Sequence, residues 1–354
     1  MSTTISGWSM SEPGKPMVQQ SFPAPALAPG EVLVQVAGCG VCHTDISFLY
    51  MGVKVRGKLP LILGHEISGT VLETGPGVDG KLRAKPVLVP AVLPCGECEM
   101  CKAGHRRICK NQVMPGNDRH GGFASHVVVP AKFVCPINDK VLAKHELWEL
   151  AIVSDAVSTP FQAVKLSELK KGEFAVCVGV GGIGVHTVQV AAAVGAKVLA
   201  LDIDDKKLEV AKKAGAQGAI NTKGISIKDV KGKVREEAKR LGAPAALWKI
   251  FETSGTKPGQ DTAFNLLGFG ATLNIVGFTT DTLEVRLSNL MAFDAKLIGN
   301  WGSDPMLYPE LLDWVADGRI QVKPYAEKHP LSDINKVLED AHHGKLERRA
   351  VLVP

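Results

Sequence analysis

The sequence predicts an α/β protein in which a β-rich domain accompanies a doubly wound parallel sheet. Up to about residue 155, short apolar or alternating stretches are separated by Gly and Pro. Beyond that point, apolar strand patterns alternate with helical patterns, which is typical of a parallel sheet covered by helices. The length of 354 residues allows two or three domains.

The strands of the first part are predicted by alternation. EVLVQVAG (31–38) places Val32, Val34 and Val36 on one face. The stretches ISGTVLETG, KPVLVPAVL and FASHVVVPA have similar patterns, with Gly and Pro turns between them.

The second part begins with EFAVCVGV (173–180), an apolar strand, followed by a helix in GIGVHTVQVAAAVGA (182–196). Further strands are predicted in KVLALDID, LWKIFE (247–252), ATLNIVGF (271–278) and KLIGNW (296–301), and a helix in DKKLEVAKKAGA. The residues after 303 carry no nucleotide motif, and we expect them to return to the first domain.

Composition excludes several classes of protein. The net charge is only +5, no Lys/Arg block dominates, and aromatic residues make up 5%, so a nucleic-acid partner is disfavoured. No run of 18 apolar residues exists and the N-terminus lacks a signal-peptide pattern, so we expect a cytoplasmic protein that does not span a membrane. Eight cysteines in such a chain indicate reduced thiols, as metal ligands or catalytic groups.

A glycine-rich loop predicts a dinucleotide site. The segment Gly179-Val180-Gly181-Gly182-Ile183-Gly184 fits G-x-G-x-x-G, follows an apolar strand and opens a helix. In this motif Gly179 permits the tight turn, Gly181 lets the backbone approach the pyrophosphate, and Gly184 lets the helix pack closely.

Asp202 ends the next predicted strand, at the spacing expected for a ribose-binding acid. A carboxylate there accepts hydrogen bonds from the ribose hydroxyls and repels a 2′-phosphate, which favours NAD over NADP. We expect Lys206 or Lys207 to flank the ribose. The alternative is a Gly-rich turn without ligand, with Asp202 as a helix cap.

Four cysteines lie within 15 residues, as Cys95-x2-Cys98-x2-Cys101-x7-Cys109. Four thiolates suit the tetrahedral shell of a structural zinc ion. Free thiols or an iron–sulfur cluster are the alternatives, and a nucleic-acid zinc finger is disfavoured because no basic recognition helix follows.

Cys42 in GCGVCHTD and His65 in LGHE are candidates for a second, open zinc site with a water-accessible position. From these two residues alone, a buried thiol and a core histidine are equally open readings. We expect Cys39, Cys135 and Cys177 to be small buried residues.

The segments GCGVCHTD, LGHE, the four-cysteine segment and GVGGIG occur in the order found in zinc-dependent medium-chain alcohol dehydrogenases, and the sequence resembles that family over essentially its whole length. The resemblance implies a GroES-like catalytic domain (1–156) with a structural zinc lobe (95–109), a Rossmann NAD-binding domain (157–302) and a C-terminal return (303–354). It also implies two zinc ions per chain, NAD as cofactor, a catalytic cleft between the domains, and a homo-oligomer that is a dimer or a tetramer.

Residue by residue, the resemblance implies that Cys42, His65 and Asp155 are the catalytic zinc ligands. Asp155 lies four residues before Thr159, the family's threonine that packs on the nicotinamide. Many relatives carry Cys where this chain has Asp155, so its metal shell is harder and we expect easier metal exchange. Glu66 resembles a carboxylate beside the ligands that approaches the metal during ligand exchange.

The same resemblance implies that Thr44 takes the proton of the substrate hydroxyl and that His43 contacts the pyrophosphate. Ser47 stands where many relatives have a histidine that relays the proton. The relay then runs through Ser47, ribose and water, or it ends elsewhere; Thr44 as a turn-capping hydroxyl is the alternative reading.

Further stretches, among them WKIFETSGTKPGQ and RLSNLMAFDA, are similar to the branch of the family that oxidises 6-hydroxycyclohex-1-ene-1-carbonyl-CoA in anaerobic benzoyl-CoA degradation. This implies a small-molecule substrate, a cyclic enoyl-CoA alcohol. Lys54, Arg56 and Lys58 are candidates to meet its phosphates, or form a solvated loop. The alternatives are another cyclic or aromatic alcohol as substrate, and a catalytically silent NAD-binding scaffold.

Overall fold

The computed structural model describes residues 3–354. The chain forms two compact units: one comprises the described residues of Met1–Ser158 together with Gly302–Pro354, and the other is Thr159–Trp301. Each unit is built around its own sheet and core.

The strands, numbered along the described chain, are β1 (Thr4–Met10), β2 (Val18–Pro23), β3 (Glu31–Gly40), β4 (Leu61–Ile62), β5 (Glu66–Thr74), β6 (Pro86–Val89), β7 (His126–Pro130), β8 (Cys135–Pro136), β9 (Phe174–Val178), β10 (Lys197–Asp202), β11 (Gly218–Asn221), β12 (Lys249–Glu252), β13 (Thr272–Ile275), β14 (Lys296–Gly299), β15 (Ala326–Pro330) and β16 (Arg349–Val353).

The α-helices are α1 (His43–Tyr50), α2 (Glu99–Lys102), α3 (Asp139–Leu142), α4 (Ser158–Leu166), α5 (Gly184–Val194), α6 (Asp205–Lys213), α7 (Ile227–Arg240), α8 (Lys257–Asn265), α9 (Ser288–Ala292), α10 (Tyr308–Ala316) and α11 (Ile334–His342). Short 3-10 helices occur at Gly80–Leu82, Arg106–Ile108, Glu149–Ser154, Pro305–Leu307, Lys323–Tyr325 and Leu331–Asp333. Within residues 3–354, no helix is long and apolar enough to cross a membrane.

The unit Thr159–Trp301 confirms the predicted doubly wound sheet. Its strand order is β11-β10-β9-β12-β13-β14, and every pair is parallel. The chain moves outward from β9 to β11 on one side and from β12 to β14 on the other, so the order reverses between β9 and β12. Dinucleotides bind outside the carboxyl ends of strands at such a reversal. β9 is buried at every position, as its unbroken apolar run FAVCV predicts.

The other unit contains the predicted β-rich part and the C-terminal segment. A mixed sheet has the order β15-β16-β3-β5-β6-β8, with β7 also paired to β3, and a smaller sheet has the order β2-β1-β4. The C-terminal strand β16 pairs with β3 through Val351 opposite Gly40. The core of this unit gathers the inward apolar residues of β3 and β5, including Val32, Val34 and Ile67.

Two candidate metal sites and a dinucleotide loop

The pairing of β3 with β5 brings the first two predicted ligands together. Gly40, at the end of β3, lies opposite Glu66, at the start of β5. Cys42 and His65 are therefore adjacent although 23 positions separate them in the chain. Cys42 then caps the N-terminus of α1.

Asp155 completes this group from a third element, the end of the 3-10 helix Glu149–Ser154. Its Oδ2 lies 3.5 Å from Cys42 Sγ and 3.7 Å from His65 Nε2. Cys42, His65, Glu66 and Asp155 each offer one ligand atom, and these atoms all lie within 4.8 Å of one another.

This donor set fits a divalent zinc ion. Ligands at tetrahedral zinc distances stand about 3.4–3.6 Å apart for the N···O and S···O pairs, close to the two separations given above. Of the four donors, Glu66 is ion-paired with Arg349. The other three, one thiolate, one imidazole and one carboxylate, leave the fourth corner open, as in catalytic zinc sites. The residues therefore suit a metal ion with a position for an oxygen ligand.

Asp45, which sequence reasoning missed, holds the backbone and the imidazole around the predicted ligands in place. Its carboxylate accepts hydrogen bonds from the backbone N–H of Cys42 at 3.0 Å and of Gly64 at 3.1 Å, and lies 3.5 Å from His65 Nδ1. Outer carboxylates of this kind fix the tautomer and orientation of a ligating histidine. The signal was available, because Asp45 occupies the third helical position after Cys42, where an acid completes a capping box.

Arg349 was also missed. This nearly buried residue of β16 forms a two-pronged ion pair with Glu66, with Nε 3.0 Å from Oε2 and the second prong between Nη2 and Oε1. The charged Arg349 directly before the apolar run AVLVP was the available signal, since charged residues are rarely buried without a partner.

Burial and these partners set the ionisation of the site. Burial raises the pKa of Glu66 to about 7, against the lowering effect of Arg349. For His65, burial lowers the pKa. Asp45, Asp155 and Cys42 together raise it by more than burial lowers it, so the pKa of His65 lies well above the usual value. The neutral form of His65 is the one that binds a metal ion.

Tyr308 is the third residue that sequence reasoning missed, and unlike Asp45 and Arg349 it had no sequence signal. Its buried hydroxyl donates to the backbone carbonyl of Ser154 and lies 3.1 Å from Ser158 Oγ. Ser154 Oγ donates to the carbonyl of Ile67 at 2.8 Å. The backbone that carries Asp155 is thus held on both sides.

The first turns of α1 carry Thr44 and Ser47, which are predicted to handle protons, and His43, which is predicted to contact the pyrophosphate. Thr44 is half-buried, with Oγ1 3.6 Å from Cys42 Sγ, and His43 is exposed. The buried Ser47 donates its hydroxyl proton to the carbonyl of His43 at 2.8 Å, and its oxygen contacts Met51 Sδ at 3.6 Å. In this arrangement the Ser47 hydroxyl makes its contacts with residues of α1 and the residue that follows it.

The four-cysteine cluster is closed. Cys95, Cys98, Cys101 and Cys109 offer sulfur atoms that lie within 4.8 Å of one another. The Cys109 sulfur is 3.5 Å from that of Cys95 and 3.7 Å from that of Cys98, near the edge of about 3.8 Å expected for a tetrahedral four-thiolate zinc shell.

Hydrogen bonds favour thiolate in part of this cluster. The backbone N–H groups of Glu97 and Cys98 donate to Cys95 Sγ and lower its pKa to about 6, while burial raises the pKa of Cys101 to about 12. A cation at the centre would deprotonate the remaining thiols. The other three cysteines, Cys39, Cys135 and Cys177, are buried, as predicted.

In the second unit, the glycines of the loop sit where the motif requires them. Gly179 has φ 81°. A Cβ on Gly184 would lie 1.9 Å from the carbonyl oxygen of Gly179, whereas a Cβ on Gly181 would meet nothing within 4 Å. Gly182 lies between Gly181 and Gly184, in the turn that leads into α5.

Asp202 ends β10 and faces this loop. Its Oδ2 accepts from Val180 N at 2.8 Å, and its Oδ1 accepts from Ile203 N and Asp204 N. The cap of α6 is instead Asp204, whose side chain accepts from Lys206 N, so the helix-cap alternative for Asp202 is wrong.

The remaining predicted residues are more dispersed. Lys207 is exposed on α6, and Thr159 is buried in the first turn of α4, where its carbonyl accepts from Asn300 Nδ2 at 3.4 Å. The basic residues proposed for coenzyme A, Lys54, Arg56 and Lys58, are exposed. Arg56 is 3.6 Å from Asp118.

Two family models match the chain. Residues 28–139 match the alcohol dehydrogenase GroES-like domain, and residues 182–317 match the zinc-binding dehydrogenase domain.

An alcohol dehydrogenase of Geobacillus stearothermophilus is 31% identical over 339 residues, 96% of each chain. The solved alcohol dehydrogenase of Aeropyrum pernix has a TM-score of 0.87 at 29% identity, covering 99% of this chain and 100% of that one. A cobalt- and zinc-bound alcohol dehydrogenase of Pyrobaculum aerophilum has a TM-score of 0.84 at 26% identity, with the same coverage. The GroES-like and Rossmann fold prediction is thereby confirmed, and the chain belongs to the zinc-dependent medium-chain alcohol dehydrogenase family.

Proposed function

We propose that this protein oxidises a secondary alcohol with NAD, using a catalytic zinc ion held by Cys42, His65 and Asp155. The observation that carries the proposal is the open three-donor group, with Asp155 Oδ2 at 3.5 Å and 3.7 Å from the other two donors. A second zinc ion, held by the four cysteines, stabilises the lobe around residues 95–109.

When bound, the catalytic zinc acts as a Lewis acid that lowers the pKa of the substrate hydroxyl. Thr44 Oγ1, 3.6 Å from Cys42 Sγ, accepts the released proton as the first group of a relay. Because Ser47 donates to the carbonyl of His43, we propose that the relay continues from Thr44 through the ribose and water. Arg349 holds the Glu66 carboxylate beside the ligands through both of its oxygens, so Glu66 approaches the metal during ligand exchange only when this ion pair opens.

NAD, when bound, accepts the hydride. We propose that its pyrophosphate lies on the N-terminus of α5, at the Gly179–Gly184 loop, with His43 as a further contact. We also propose that Asp202 accepts hydrogen bonds from the adenosine ribose hydroxyls, with Lys207 beside it. The exclusion of a 2′-phosphate by Asp202 supports NAD over NADP. Thr159 would pack on the nicotinamide.

For the substrate, we propose the ring alcohol of 6-hydroxycyclohex-1-ene-1-carbonyl-CoA, oxidised to the conjugated 6-oxo thioester. The segments that resemble this branch of the family support it, as do the exposed Lys54, Arg56 and Lys58, which suit a polyanionic carrier. A simpler cyclic or aromatic alcohol fits the same metal site equally. A catalytically silent scaffold would keep the nucleotide loop and one zinc ion per chain, at the four cysteines.

We further propose a cytoplasmic homo-oligomer. Among the described residues no cysteine forms a disulfide, which fits a reducing compartment. β14 is the edge strand of its sheet, and Leu297 and the nearby Trp301 are exposed, which suits strand-to-strand association of two copies.

The test compares NAD-dependent oxidation of the cyclic thioester, of free cyclohexenols and of benzyl alcohol by the zinc-loaded protein. We expect the thioester to give the highest kcat/KM. A preference for a free alcohol would select the second substrate class. No turnover of any alcohol, with NAD binding intact, would select the scaffold. Cys42→Ala is the matched inactive control.

A further inference from the structure

Glu252, the last residue of β12, is a fully buried carboxylate that the motif does not include. Its Oε1 accepts hydrogen bonds from Ser254 N at 2.9 Å and Gly255 N at 3.2 Å, and also from Ser254 Oγ. Its Oε2 is buried without a partner among residues 3–354. A buried carboxyl group whose hydrogen bonds all go to a single turn calls for a structural explanation.

The turn that it holds, Thr253–Gly255, is wedged against the glycine loop. Thr253 Oγ1 donates to the carbonyl of Gly179 at 2.5 Å and lies 3.2 Å from that of Val178. A Cβ on Gly179 would stand 2.5 Å from Ser254 Cα, so the two backbones touch only because position 179 is glycine.

The other flank of the turn is equally close. A Cβ on Gly277, after β13, would lie 2.3 Å from Gly255 N, and Gly277 N donates to the carbonyl of Glu252 at 3.0 Å. The turn thus fills the space between the carboxyl ends of β9 and β13, at the reversal of strand order where dinucleotides bind.

Glu252 also determines which backbone N–H groups of this turn are available to a ligand. Backbone N–H groups at the ends of parallel strands commonly bind phosphate. Here the N–H groups of Ser254 and Gly255 point to the internal carboxylate, so they are taken. At this edge the Gly179–Gly184 loop is therefore the candidate for anion binding, and the turn packs against that loop and supports it.

We propose that Glu252 is a positioning residue for the dinucleotide: it holds the Thr253–Gly255 turn against Gly179 and so fixes the loop that receives the pyrophosphate. This inference rests on the proposed use of NAD. Burial raises the pKa of Glu252 against the lowering effect of the Ser254 and Gly255 hydrogen bonds. Because acceptance through Oε1 is the task, a neutral glutamine can perform it.

The experiment measures NADH binding by fluorescence, KM for NAD and for alcohol, and thermal unfolding, in Glu252→Ala, Glu252→Gln and Thr253→Val. We expect Glu252→Ala to weaken NADH binding about tenfold, because two buried N–H groups lose their acceptor. KM for alcohol and kcat at saturating NAD should stay within about twofold, since the interaction serves cofactor binding alone. Glu252→Gln should restore binding, and Thr253→Val should weaken it about threefold through loss of the bond to Gly179.

Glu236→Ala, at an exposed position on α7, is the matched control with parent-like binding. Parent-like NADH binding by Glu252→Ala, or equal weakening by the Ala and Gln variants, overturns the inference. If Glu252→Ala does not fold, Thr253→Val decides: parent-like binding then overturns it. A parent protein that does not bind NADH refutes the proposed function together with this inference.

Discussion

Two glycines of the nucleotide loop should fail in different ways when each is replaced by alanine. At Gly184 a methyl group would stand 1.9 Å from the carbonyl oxygen of Gly179, whereas real Cβ atoms essentially never come closer than 3.0 Å. Helix α5 or the loop must therefore shift by about 1.1 Å. Such overpacking costs about 1–3 kcal/mol, and a contact with backbone belongs at the upper end.

A gain opposes part of this cost. Alanine is favoured over glycine in a helix by about 1 kcal/mol, so Gly184→Ala should lose about 2 kcal/mol net. For a protein of 354 residues, that lowers Tm by about 3 °C. Gly181→Ala meets nothing within 4 Å, so its Tm should match the parent. Its methyl group would instead occupy the surface that we propose the pyrophosphate approaches, and NADH affinity should fall at least about tenfold.

Differential scanning fluorimetry and a fluorescence titration with NADH separate the two effects. Loss of Tm at Gly184 with loss of affinity alone at Gly181 is the expected pair of results. Parent-like NADH binding by Gly181→Ala would refute the assigned approach of the pyrophosphate, and a parent-like Tm for Gly184→Ala would refute the packing argument.

Three further substitutions probe other parts of the molecule. Asp202→Ala should raise the ratio of NADP to NAD kcat/KM at least about tenfold, because it removes the charge that repels a 2′-phosphate; an unchanged ratio would contradict the assignment. Tyr308→Phe leaves the carbonyl of Ser154 without this donor and should speed zinc loss to a chelator severalfold, with Tm lowered by only a few degrees; a parent-like rate of zinc loss would show that Tyr308 does not hold Asp155 in place. Arg349→Met should lower the free energy of unfolding by about 3–5 kcal/mol in urea, since it leaves Glu66 without its buried cation; a change below about 1 kcal/mol would show that the ion pair contributes little.

Much of this architecture follows from local sequence patterns. The apolar run of β9, the glycine loop and the acid at the end of β10 are close in the chain, so spacing alone locates them. The four cysteines lie within 15 residues, so one segment can surround an ion.

Contacts between distant segments were harder to predict. No spacing rule connects Asp155 to Cys42 and His65, because the pairing of β3 with β5 and the 3-10 helix at Glu149–Ser154 bring them together. Asp155 therefore came only from the resemblance to the family. Arg349 and Tyr308 approach the same group from the C-terminal segment, which no local pattern links to it.

The central claim is that Asp155 shares a zinc ion with Cys42 and His65, and metal analysis of Asp155→Ala beside Cys98→Ser tests it directly. The parent should hold two zinc ions per chain and oxidise alcohol with NAD. Asp155→Ala should keep the four-cysteine zinc ion, lose the other, and show no oxidation, while Cys98→Ser should show the reverse loss of zinc. Two retained zinc ions and parent-like oxidation in Asp155→Ala would contradict the claim.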